Sequence, residues 1–331
     1  MGNTISAVHV NAPVRRLRSV LILFIAGTVA WLAGCAAIGV FAVEGALHLP
    51  HLALTEQDRT HAAIVAKSNG AEITDESLTA ADGAILRAWS IRAHDGNGSV
   101  GILLHGQGDN RAAMLGPAEM LLRHGFSVLL PDARGHGESG GAITTYGVLE
   151  ADDIRRWFEW IQKNDSPQCI DGLGDSMGGA ELLRSLDVER GFCAVVAESP
   201  FATFREAAYD RLGQEFGRGP RLGRTILRPA LYAGVVYTRI RYGVDLEKAD
   251  PARAVAASAV PVMLIHGLAD RNLPARHSEA IKAASPRVEL WEPERAGHCE
   301  ASTVEPVEYE RRVAGWFEGH QQSHALARVR P

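Results

Sequence analysis

Gly174-Asp175-Ser176-Met177-Gly178 decides how the rest of this chain is read. The pattern is G-x-S-x-G, set between an apolar run holding Cys169, Ile170 and Leu173 and a helix-like stretch from Ala180 to Leu186. A serine on a sharp strand-to-helix turn has its hydroxyl pushed out above the sheet, and the N-terminus of the next helix favours developing negative charge. The flanking glycines suit such a turn, which leaves no room for side chains. Alone the pattern is weak, because a glycine-rich corner without chemistry has the same letters. Its context has to decide.

Downstream, Pro261-Val262-Met263-Leu264-Ile265-His266-Gly267 reads as a buried strand followed by a loop carrying Asp270. Val288-Glu289-Leu290-Trp291 reads as another strand, and Ala296-Gly297-His298 follows it. Ser176, Asp270 and His298 therefore fall just past the C-terminal ends of three expected strands, where open α/β sheets build their sites. Each residue alone has a bland reading, as a turn, a cap or a loop histidine. Upstream, Ser99 to Leu104 is a short apolar strand that runs into His105-Gly106-Gln107-Gly108-Asp109-Asn110-Arg111. A tetrahedral intermediate carries an oxyanion that needs two preorganised N–H donors. Met177, directly after the nucleophile, and Gln107, in this loop, are the candidates.

The chain resembles an α/β-hydrolase of the serine-aminopeptidase and monoglyceride-lipase-like branch. The resemblance rests on His105-Gly106-Gln107-Gly108 with Arg111, Asp132-Ala133-Arg134-Gly135-His136-Gly137-Glu138-Ser139, Gly174 to Gly179, His266-Gly267 with Asp270, and Gly297-His298. It covers roughly Ile73 to Gln321, and the order nucleophile, acid, base along the chain is that of this superfamily. It implies Ser176 as nucleophile, Asp270 as acid, His298 as base, and Gln107 and Met177 as oxyanion donors. No substrate follows, because the fold hosts esterases, lipases, thioesterases, amidases and peptidases.

The fold class expected is α/β: a mainly parallel central sheet with helices on both faces and a small helical cap, preceded by an N-terminal transmembrane helix. Strands are expected at Ala84 to Ile91, Val100 to Leu104, Phe126 to Leu130, Cys169 to Leu173, Cys193 to Ala197, Met263 to Ile265 and Val288 to Trp291. Helices are expected at Arg111 to Arg123, at the amphipathic Val148 to Gln162 and at Tyr309 to Phe317. Residues 70–321 form the hydrolase domain, with 201–258 as a cap insertion, 44–69 as a linker and 322–331 as a tail without apolar period. The insertion holds Phe201, Phe204, Tyr209, Leu212 and Phe216, then a basic glycine-rich run, Gly217 to Arg224, read as a solvated turn, with a contact for acidic lipid headgroups as the alternative. Part of the insertion is expected simply to cover the sheet.

No charged residue appears from Ser19 to Val43, while Arg15, Arg16 and Arg18 precede the run and Glu44 ends it. As a helix this stretch is about 37 Å long, enough for a bilayer core. It reads as an uncleaved signal anchor spanning 19–43, with 1–18 cytoplasmic and the hydrolase domain on the extracytoplasmic side. Leu32-Ala33-Gly34-Cys35 offers the alternative of a lipoprotein box anchored at Cys35, though the residues after it stay apolar through Val43. Met1-Gly2-Asn3-Thr4-Ile5-Ser6 fits a short myristoylation pattern that a membrane span makes superfluous.

Composition bounds the remaining classes. With 34 basic and 39 acidic residues among 331, a net charge of −5, the chain has no nucleic-acid footprint. Four cysteines are too few for a disulfide framework; Cys169 and Cys193 fall on neighbouring strands and are read as buried free thiols, with one disulfide as the alternative. Gly172-Leu173-Gly174 is followed by Gly178, so the dinucleotide G-x-G-x-x-G is not met. His105, Asp132, His136 and His298 form no H-E-x-x-H-type metal cluster. The expectation is a membrane-anchored serine hydrolase that needs no cofactor or metal and takes a small-molecule acyl ester or thioester. An amidase or peptidase is the alternative, and a non-catalytic binding protein, which would show a broken triad, comes last.

Overall fold

The computed structural model describes residues 12–215, 217 and 220–329. The Met1 to Ser6 pattern, Phe216, Arg218 and Gly219 of the cap, and Arg330 of the tail lie outside the described residues. Along the chain come α1 (Ala12–Leu47), α2 (Glu56–Ser68), β1 (Ala71–Thr79), β2 (Ile85–Ala93), β3 (Ser99–Leu104), α3 (Leu115–Arg123), β4 (Ser127–Pro131), α4 (Glu150–Asn164), β5 (Cys169–Asp175), α5 (Met177–Ser185) and β6 (Val195–Glu198). Then follow α6 (Phe204–Glu215), α7 (Pro220–Arg224), α8 (Arg228–Tyr242), α9 (Pro251–Ala257), β7 (Val262–Ile265), α10 (Arg276–Ala284), β8 (Glu289–Trp291), α11 (Ala301–Val304) and α12 (Pro306–Val329).

The eight strands form one sheet in the order β1-β2-β4-β3-β5-β6-β7-β8. β1 and β2 pair antiparallel, as do β2 and β4; every pairing from β4 onward is parallel. The expected α/β-hydrolase fold is thus the fold observed. β3 is buried along its whole length, which is why it reads as an unbroken apolar run. One face of the sheet packs on α2, α3 and α12 through residues such as Val65, Leu121 and Phe317. The other packs on α4, α5, α9 and α10 through Trp157, Leu182, Val255 and Ile281.

Several elements differ from expectation. The stretch read as a linker contains α2, whose start is fixed by a capping box in which the Thr55 hydroxyl takes the Asp58 N–H and the Asp58 carboxylate takes the Thr55 N–H. β1 at the sheet edge was not expected from AEITDESLT, because its alternation carries few large apolar residues. α12 continues past Phe317 to Val329, so the tail is helical for most of its length. Cys169 and Cys193 are corrected outright: they form a disulfide. The Cys193 N–H donates to Ile170 O at 2.9 Å, and this extension of the β5–β6 ladder brings the two Cα atoms to 5.7 Å, within bridging range.

The insertion expected as a cap contains α6 to α8, and its last helix, α9, covers the sheet beside α5 and α10. α1 is longer than the 19–43 run. Arg16–Leu47 contains an 18-residue stretch with a mean hydropathy of 2.3 and is long and apolar enough to cross a membrane, by length and composition. From Arg16 to Gly34 it buries no residue, whereas Cys35, Val43 and Leu47 are buried against the cap.

Candidate active site

β5 ends at Asp175 and α5 begins at Met177, so the turn between them falls to one residue, Ser176, with φ 51° and ψ −111°. That backbone region is costly for a residue with a Cβ and is held only where the surroundings enforce it. The close approach does so. A Cβ on Gly174 would lie 2.6 Å from the Gly178 carbonyl, and one on Gly178 would lie 2.5 Å from Leu104 O and His105 O. The Ser176 N–H is held by Glu198 O at 2.8 Å.

The serine hydroxyl points at His298, with Oγ 2.7 Å from Nε2. His298 Nδ1 lies 2.6 Å from Asp270 Oδ2, so Nδ1–H donates to the carboxylate and Nε2 is left to accept from the hydroxyl. The other Asp270 oxygen accepts the N–H groups of Asn272 (2.8 Å) and Leu273 (2.9 Å). Burial works to raise the Asp270 pKa, but the imidazoles of His266 and His298 and the Leu273 N–H outweigh it and hold the carboxyl well below its usual range. His266 is itself pinned, donating to Leu273 O at 2.8 Å and accepting from Ser278 Oγ at 2.7 Å. The three residues named from sequence order are therefore one hydrogen-bonded array.

The His105–Gly108 loop lies over the same turn. A Cβ on Gly106 would be 3.7 Å from the Ser176 Cβ. Among the described residues neither the Gln107 nor the Met177 N–H donates to a protein acceptor, and Met177 opens α5, where the first N–H groups of a helix have no partner within it. Two histidines brace the loop. His105 Nε2 accepts the Ala133 N–H at 3.0 Å while Nδ1–H donates to Gly106 O, and burial pushes its pKa down to about 3. His136 Nε2 accepts the Gly108 N–H at 3.2 Å, and burial lowers its pKa also. Asp132 anchors the motif from below: its carboxylate takes the Arg111 N–H and guanidinium, both at 2.7 Å, and the Glu138 N–H at 2.8 Å. These motif residues hold loops rather than touch the reacting centre.

Two contributors were not found from sequence. The segment leaving α1 crosses the His-Gly loop: Leu52 N–H donates to Gly108 O at 2.8 Å, Asn110 Nδ2 donates to Leu52 O at 3.3 Å, and the His51 ring stands 5.8 Å from His136. Behind the serine, Glu198 Oε1 accepts the Ala301 N–H at 2.9 Å, tying the His298 loop to β6. Burial, then the neighbouring Asp175, push Glu198 up to about 8; burial and Asp109 push Asp175 up to about 7. Neither feature has a local signal, since both partners are distant along the chain.

The chain belongs to the alpha/beta hydrolase family, whose model matches residues 102–312. It is 26% identical over 251 residues to the uncharacterized protein YqkD of Bacillus subtilis, covering 74% of this chain and 79% of that one. Among solved structures it is similar to the Pyrococcus furiosus esterase Pf2001, with a TM-score of 0.65 and 25% identity over 83% of this chain and all of that one. The Pyrococcus horikoshii acylaminoacyl peptidase shares the fold at a TM-score of 0.57 and 16% identity, over 77% of this chain and 42% of its own. Esterase-like neighbours and the family together make this chain a hydrolase.

Proposed function

We propose that the protein is a membrane-anchored serine hydrolase that cleaves a carboxylic ester or thioester through an acyl-enzyme. The observation that carries this reading is the continuous chain Ser176 Oγ, His298 Nε2, His298 Nδ1, Asp270 Oδ2, with separations of 2.7 and 2.6 Å. His298 takes the serine proton as Oγ attacks the carbonyl carbon, and the ionised Asp270 stabilises the imidazolium. The oxyanion rests on the N–H groups of Gln107 and Met177. Collapse of the intermediate expels the alkoxide or thiolate, which takes the proton from His298. Water, deprotonated by the same imidazole, then attacks the acyl-enzyme and frees Ser176.

Apolar surroundings favour an acyl substrate: Met177 packs in one cluster with Tyr146, Phe201, Phe204 and Leu273. Anchoring is supported by the apolar α1, and its arginine flank favours a hydrolase domain on the extracytoplasmic side. The Cys169–Cys193 disulfide agrees, because disulfides persist in oxidising compartments. Lipidation at Cys35 is disfavoured, since its side chain is buried in mid-helix against Leu227 and Ala230.

The test is fluorophosphonate labelling with a substrate panel. Ser176→Ala abolishes labelling, and Ser176→Ala and His298→Ala each lower kcat on p-nitrophenyl esters by on the order of 10⁴-fold, with little further loss in the double variant. Strictly multiplicative losses would refute the joint role. Faster turnover of aminoacyl-anilides than of any p-nitrophenyl ester would replace the esterase by the amidase.

A further inference from the structure

The anchor helix and the cap are one packed unit. Along α1 a single ridge, Cys35, Gly39, Val43 and Leu47, is buried, and it faces α8 and the turn before it. Small residues bring the two helices close: a Cβ on Gly39 would lie 1.9 Å from Ala230 O, and one on Gly234 would lie 2.8 Å from Gly39 O. The contacts climb together. Cys35 Sγ lies 3.7 Å from Ile226 O, Gly39 lies between Ala230 and Gly234, and Glu44 accepts from the Tyr242 hydroxyl at 2.8 Å. α8 therefore runs parallel to α1, and the corner between α7 and α8 stands level with Cys35.

With α1 as a span, that level falls within the bilayer. Counting from Arg18, a hydrocarbon core of about 30 Å takes roughly 20 residues at about 1.5 Å each and ends near position 38. If α1 spans, a corner packed at Cys35 has no means of standing clear of the lipid. Its surface has the matching chemistry. Ile226 is 57% exposed, and Arg221 and Arg228 are exposed with no ion-pair partner among the described residues. Higher up, Phe41 on α1 (83% exposed) and Tyr232 on α8 (69%) share one level, where aromatic rings sit at the headgroups.

We propose that the α7–α8 corner of the cap is a second membrane contact, with Ile226 seated at the acyl boundary and Arg221 and Arg228 on phospholipid phosphates. The proposal rests on the reading of α1 as a membrane span and adds that the cap, not the anchor alone, holds the domain against the leaflet. Val235 of α8 belongs to the same buried cluster as Met177, so the docked helix shares an apolar core with the residue that follows Ser176.

The test uses the full chain in vesicles of phosphatidylcholine and phosphatidylglycerol in equal parts, with a photocrosslinking benzoylphenylalanine placed singly at Leu23, Ile226, Tyr232 or Val307. Val307 is 82% exposed and lies on α12, which packs on the sheet face opposite α4, α5, α9 and α10. Fluorophosphonate labelling of Ser176 verifies that each variant is folded. Lipid adducts are expected at Leu23, Ile226 and Tyr232 and not at Val307. Replacing both arginines by Arg221→Glu and Arg228→Glu lowers the Ile226 adduct by about fivefold or more. Adducts at Leu23 without any at Ile226 and Tyr232 overturn the docking and leave the span standing. Silence at Leu23 overturns the span, and the docking with it. Equal yield at Val307 also overturns the docking, because contact without orientation is not a seat.

Discussion

Gly178→Ala tests how the nucleophile turn and the oxyanion loop are held together. A Cβ at this position would lie 2.5 Å from the carbonyl oxygens of both Leu104 and His105. Carbon and oxygen need about 3.3 Å, so the two backbones must part by about 0.8 Å. Neither partner is the end of a flexible side chain that could turn aside. The displacement falls between Met177, the residue before Gly178, and Gln107, two residues beyond His105, and so between the two proposed oxyanion donors. A misplacement of this size costs on the order of 100-fold in rate, about 2.7 kcal/mol of transition-state stabilisation. The assay is kcat and KM on a short p-nitrophenyl ester, with thermal unfolding measured alongside. The expectation is a fall in kcat at nearly unchanged KM, because the donors act on charge that exists only in the transition state. Gly315→Ala is the control: no atom lies within 4 Å of its Cβ in the interior of α12, so helix propensity stabilises it by about 1 kcal/mol with activity intact. A Gly178→Ala enzyme that turns over at the wild-type rate, or that loses only KM, would refute the reasoning.

With the Gln107 N–H as a proposed oxyanion donor, Gln107→Ala is expected to be mild and Gln107→Pro, which deletes the N–H, severe; equal losses in kcat would assign the role to the side chain. Leu52→Pro removes the N–H that holds Gly108 O and lowers kcat by up to about tenfold, the worth of one hydrogen bond, and an unchanged kcat would free the loop from the segment that leaves α1. Glu198 keeps its proton in the folded protein up to about pH 8, whereas an unfolded glutamate releases it near 4.5. Between those values the native state binds the extra proton, so stability falls as pH rises, and Glu198→Gln, which retains an acceptor for the Ala301 N–H, flattens that fall in apparent Tm. An identical slope in the variant would show that Glu198 is ionised.

The parts of the site that were legible in the sequence are those fixed by local chemistry. A serine between glycines at a strand end leaves few conformations; Asp270 follows an apolar run that announces itself as a buried strand, and His298 follows the short, half-exposed strand β8. A parallel strand buried on both faces, such as β3, is a nearly unbroken apolar stretch for the same reason, and β5 departs from that pattern only at Asp171 and at Asp175 beside the serine. α2 and β1 escaped because each buries only small or intermittent apolar groups, Ala62, Val65 and Ala66 in the one and half-exposed side chains in the other. Periodicity carries little information when the face that packs is narrow.

What the sequence determined, then, was the order of the array, the elbow and the apolar helix before the domain, because each follows from residues adjacent in the chain or from the period of one element. Pairing across the chain was decided only by tertiary structure. Cys169 and Cys193 became a disulfide because the β5–β6 register set their separation. His136 became a brace for Gly108, and Leu52 a strap on the same loop, because the fold laid distant segments over one another. The 19–43 run became two parts, a bare helix to Gly34 and a ridge packed on α8, because Gly39, Ala230 and Gly234 let two backbones meet. Small residues carry no hydropathy signal of their own, so a contact built on them is invisible until the partner helix is in place.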